Sequence, residues 1–71
     1  LRTADIGKIV HYISRDGFLR PAMILRKLQG NAYNLMVFFD TDTSFGMARE
    51  KAVPYSTTGE PGTWHGAGEG L

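Results

Sequence analysis

Two histidines, His11 and His65, are the side chains of this chain best suited to moving protons near neutral pH. A hydrolytic or transfer site would need a nucleophile beside them. There is no cysteine, and no serine stands in a strand-turn-helix elbow. Each histidine reads more simply as a strand residue that hydrogen-bonds backbone. Asp40-Thr41-Asp42-Thr43-Ser44 resembles the opening of a calcium loop. Counted from Asp40, the sixth position holds Phe45 where the tight turn needs glycine, and the twelfth holds Lys51 where a bidentate glutamate is needed. A solvated turn is the better reading, and no metal or other cofactor is expected. The nine glycines form neither a phosphate loop nor a dinucleotide fingerprint. Gly59, Gly62, Gly66, Gly68 and Gly70 read as a loop and a tail. The chain is therefore expected not to be an enzyme.

The elements that carry these residues are short. Seventy-one residues allow a single domain with a marginal core. Without cysteine, disulfides and thiolate metal sites cannot reinforce it. Association with another chain becomes the leading form of support. Eight Lys/Arg against seven Asp/Glu give a net charge of +1, far from the basic footprint of a non-specific nucleic-acid binder. The longest apolar run, Leu35 to Phe39, cannot span a bilayer, so no membrane is expected. The opening LRTADIGK holds no apolar signal region, which points to a soluble, non-secreted protein.

The chain divides into a loose lead-in (1–5), one domain (6–65) and a glycine-rich flexible tail (66–71). Ile9 to Ile13 is rich in β-branched and aromatic residues and reads as a strand of ambiguous parity. Arg15-Asp16-Gly17 is a turn. Pro21 belongs at the start of the next strand, Ala22 to Leu28, because it lacks an N–H. Gln29-Gly30-Asn31-Ala32 has the composition of a hairpin turn leading into Tyr33 to Phe39. Phe45 to Val53 is a weaker strand with a bulge placed at Gly46. A helix over Met47–Ala52 competes with it, since MAREKA holds good helix formers. Thr63-Trp64-His65 is a short last strand. Five short strands separated by turn signals predict an all-β fold, a small five-stranded SH3-like barrel.

The central hairpin carries the functional expectation. Both of its strands are apolar on both faces, yet a small barrel has one interior. With Ala22, Ile24, Leu35 and Val37 inside, Met23, Leu25, Met36 and Phe38 form an apolar outer face. The opposite parity would put Leu35 and Val37 outside instead. Such a face invites cover from the chain's own loop and tail or from another chain, and a homo-oligomer or a complex is expected. Tyr12, Trp64 and His65 are further candidates for partner contact. Tyr12, Tyr33, Phe38 and Trp64 among Lys8, Arg15, Arg20, Arg26 and Lys27 supply the ingredients of a single-strand nucleic-acid platform, which is the alternative reading.

Three pieces together resemble a group of short, uncharacterised phage-encoded proteins. They are IGKIVHY at 6–12, then RPA at 20–22 with NLMVF at 34–38, then VPY at 53–55 with PGTWH at 61–65. The group commonly continues with a second tryptophan and proline, where this chain has Gly66-Ala67. The resemblance implies a phage setting, as a minor virion component or a host-interaction factor in the virion or the host cytoplasm. It implies no catalytic residue.

Overall fold

The computed structural model describes residues 5–68. Five strands form one antiparallel sheet: β1 (Ile9–Ile13), β2 (Leu19–Lys27), β3 (Ala32–Asp40), β4 (Phe45–Pro54) and β5 (Thr63–Gly66). Their order across the sheet is β4-β3-β2-β1-β5. The fold is all-β, and the described residues contain no α-helix. Residues 1–4 of the expected lead-in and 69–71 of the expected tail lie outside the described residues, while Gly66 belongs to β5.

Alternation along the strands sorts the chain into two faces. Val10, Tyr12, Ala22, Ile24, Leu35, Val37, Val53 and Trp64 point inward and make the core. Tyr33 and Tyr55 pack against it, each meeting the Trp64 ring edge-on at 4.8 and 4.9 Å. Ring pairs at that spacing and tilt are favourable beyond their buried area.

The turn between β2 and β3 holds Gly30 at φ 73°, a backbone conformation that costs glycine nothing. Leu28 N–H donates to Ala32 O at 2.9 Å beneath it, and Lys27 pairs with Tyr33. Pro21 sets the other limit of this hairpin. Ile24 N–H donates to Lys8 O on the β1 side, so by alternation Ala22 also faces β1 and Pro21 faces β3. Pro21 has no N–H to give there. The β2–β3 ladder accordingly ends at Ala22–Val37.

β4 is the strand that was expected and departs from expectation in one respect. MAREKA is strand throughout, because its cross-strand pairing with β3 outweighs a helix preference too short to nucleate. The bulge is not at Gly46, which pairs regularly with Phe39. It lies further on, where the register shifts between Tyr33–Val53 and Leu35–Glu50. There Ala52 takes φ 54°, and its N–H bonds Asn34 Oδ1 at 3.0 Å. Gly46 answers a different need. A Cβ on it would lie 3.2 Å from Phe39 Cζ, so glycine lets the Phe39 ring cross the strand.

The sheet is not closed by a ladder. After Pro54, Tyr55 makes one parallel bridge to Trp64, with Ser56 N–H donating to Trp64 O at 2.9 Å. Two features limit the contact to that bridge. β5 has four residues, and Pro54 cannot donate to a continuing ladder. The expected barrel is thus observed as a five-stranded sheet whose two ends meet at a single point.

Candidate interaction surface

Pairing registers define the outer face. One rung crosses four strands as Ile9, Met23, Met36 and Arg49. The next pairs Phe38 with Met47, and Asp40 pairs with Phe45 at the hairpin end. Nearer the other edge, His11 pairs with Pro21 on one side and His65 on the other. Every pair faces away from the core, because its neighbours Val10, Ala22 and Val37 point in.

Met23, Leu25, Met36 and Phe38 are half-buried. Ala22, Ile24, Leu35 and Val37 fill the interior beneath them. Leu25 stands apart from the rungs, as the unpaired residue where the β2–β3 register shifts between Ile24 and Arg26. The most exposed apolar side chains of this face are ones the sequence reading did not single out. Phe45 is 84% exposed, Met47 65% and Ile9 49%. A count across the hairpin would have found two of them. With Thr41–Ser44 as the loop, Asp40 meets Phe45 and Phe38 meets Met47. Ile9 was hidden by the even apolar content of β1.

Tyr12 and Trp64 are buried in the core, and His65 is buried on the opposite side of β5. Little of these three side chains is left exposed to a partner, although Trp64 lines a hollow beside Lys8 and Val10. Tyr12 titrates above its ordinary range, first because burial disfavours the phenolate, then because of the charge of Glu50. The Trp64 Nε1 and both ring nitrogens of His65 are buried without a hydrogen-bond partner. His11 meets His65 edge-on with ring centres 5.4 Å apart. Two imidazoles do not make a metal centre, and among the described residues no three His, Asp or Glu side chains converge.

Two hollows flank the sheet. One of about 240 Å³ opens where the β2–β3 ladder stops, between Leu19-Arg20-Pro21 and Phe38-Phe39-Asp40. The other, about 480 Å³, lies against Lys8, Val10, Ile24 and Trp64, with Asp5 and Lys8 as its charged walls. Neither is lined by a serine or a histidine, and the Ser14–Asp16 hydrogen bond lies at an exposed turn. There Asp16 titrates below its ordinary range, chiefly because Ser14 Oγ donates to it, with Arg20 3.9 Å away.

What the outer face can do chemically is exclude water against an apolar surface. Its methionines adapt to irregular shapes, and Arg49 ends the apolar rung. No family model, no curated protein and no solved structure matches the chain.

Proposed function

We propose that this chain is a non-catalytic interaction module, a small SH3-like barrel that docks on itself or on another protein through the outer face of its sheet. The observation that carries the reading is the apolar outer row: Ile9, Met23 and Met36 in one rung, Phe38 and Met47 in the next. The core beneath is complete without them, so their apolar character is not needed to fill the interior. Methionine and aromatic residues are enriched where protein interfaces have their dry centre. The barrel assignment is supported by the strand order and by the meeting of the two end strands at Tyr55 and Trp64. The resemblance of the sequence to phage-encoded proteins sets the context, a minor virion component or a host-interaction factor.

The test is sedimentation of the chain at micromolar concentration, combined with retention of phage and host proteins on the immobilised chain. Met36→Glu should abolish self-association or the retention of a defined protein while leaving a β-type circular-dichroism spectrum. A wild-type chain that neither associates nor retains any protein in a Met36-dependent way would sink the reading. Tight binding to oligonucleotides, weakening steeply with salt, would replace it with the nucleic-acid alternative.

A further inference from the structure

Strand β4 is an outer strand of the sheet. Along any strand the backbone polar groups turn alternately to one side and the other. Thr41 N–H donates to Ser44 O at 2.7 Å and closes the β3–β4 hairpin. The next pair, Asp40–Phe45, is then of the non-bonded type, and Phe39–Gly46 of the bonded type. Continuing the alternation, Gly46, Ala48 and Glu50 direct N–H and C=O to β3. Phe45, Met47 and Arg49 direct theirs to the free edge. No hydrogen bond from a described residue meets them there. The side chains of these same three residues stand on the outer face, with Phe45 and Met47 the two most exposed large apolar side chains among the described residues. An open bonding row flanked by exposed apolar side chains is a template for another strand.

We propose that β4 pairs antiparallel with β4 of a second copy, about a two-fold axis at Met47, so that one sheet runs through both chains. The proposal rests on the interaction-module reading and names its partner. Hydrogen-bond parity restricts the register. Edge-facing residues must meet edge-facing residues, so the axis passes at a residue and never between two. An axis at Arg49 sets two guanidinium groups opposite each other, which is destabilising. An axis at Ala48 leaves them as diagonal neighbours, about 7–8 Å apart. At Met47 the charges separate. Arg49 meets the Phe45 ring of the second copy, a cation over an aromatic face. Lys51 comes beside the acidic hairpin tip that carries Asp42. Met47 meets Met47, and the Phe38–Met47 rung continues across the axis.

The chain has no cysteine, so single cysteines can report the register. Met47→Cys, Ala48→Cys and Arg49→Cys are oxidised mildly, with Thr57→Cys in an exposed loop as the collision control. The expected result is a disulfide-linked dimer formed fastest by Met47→Cys, and many-fold faster than by Thr57→Cys. A maximum at Ala48 or Arg49, or equal rates at all four, overturns the proposal. Met47→Pro removes one edge-facing N–H and no bond to β3, and should convert a sedimenting dimer to a folded monomer. Should that variant not fold, Met47→Lys tests the same contact from the side chain. A wild-type chain that remains monomeric at hundreds of micromolar overturns the inference. A dimer that survives both Met47 variants but dissociates with Met36→Glu also overturns it, and leaves the interaction module standing.

Discussion

Replacing Trp64 separates two opposing terms that meet in one side chain. The indole is 7% exposed and packs edge-on against Tyr33 and Tyr55. Its Nε1 hydrogen is buried without an acceptor. Trp64→Ala removes the whole ring and should cost about 3–5 kcal/mol, the usual range for a buried aromatic. At roughly 0.05–0.15 kcal/mol per residue, a chain of this length holds only about 4–10 kcal/mol in total. That variant is therefore expected to be largely unfolded or near its midpoint. Trp64→Phe keeps a ring between the two tyrosines and loses about 40 Å² of apolar contact, or ~1 kcal/mol at 25 cal/mol per Å². It also removes the orphaned donor, whose burial costs about 1–3 kcal/mol. The two terms nearly cancel, so Trp64→Phe should unfold in urea at or above the wild-type midpoint. Circular dichroism is the assay, since the only tryptophan is gone. If Trp64→Phe falls close to Trp64→Ala, the indole N–H has a partner and the orphan argument fails.

Other expectations follow from the bulge and from the titrating groups. Asn34→Ala withdraws the acceptor of Ala52 N–H and should lower stability by about 1–3 kcal/mol in the same urea assay. Ala52→Gly relieves a left-handed backbone at φ 54° and should gain roughly 0.5–1 kcal/mol; a loss would show that the Ala52 methyl packs. Tyr12 has a folded pKa raised above 10.0, first by burial and then by Glu50. Its neutral form is the one the fold favours, so the stability it confers is full below pH 10 and is lost as pH rises through the folded value. Tyr12→Phe should remove that alkaline decline. Asp16 is shifted the other way, chiefly by the Ser14 bond. Its contribution is present above the ordinary carboxylate range and disappears as pH falls through its lowered folded value. Asp16→Asn should flatten that acid limb of the denaturation curve.

The elements of the fold were legible where one local rule sufficed. Gly30 between two apolar runs required a turn with positive φ, and the structure has one. Pro21 was expected to open its strand; the strand begins earlier, at Leu19, and the missing N–H of Pro21 instead ends the ladder to β3. Tertiary pairing supplied what no local rule could. MAREKA has a helix former's composition, and only the whole length of β3 beside it makes it a strand. The bulge was sought at a glycine, because glycine tolerates unusual backbone. Gly46 is instead a regular residue whose missing side chain makes room for Phe39 from the neighbouring strand. The bulge falls at Ala52, held by a side-chain oxygen eighteen residues earlier in the chain.

The outer surface was legible in kind and incomplete in extent, for a related reason. Alternation along β2 and β3 identified Met23, Met36 and Phe38, since period two is a property of a strand alone. Ile9 and Met47 join them only through register, which depends on where loops begin and end. The same dependence governs the edge. Nothing in the composition of β4 says which of its N–H groups are free. Once the Thr41–Ser44 bond fixes the hairpin phase, every later residue is assigned to one side or the other. Phe45, Met47 and Arg49 then fall on the open side together. Two cations on an edge strand ordinarily discourage pairing. Here Arg49 and Lys51 lie at one end and the acidic tip with Asp42 at the other, so an antiparallel copy places opposite charges side by side. The charges that would repel a parallel neighbour, or one shifted to an axis at Arg49, favour an antiparallel pairing.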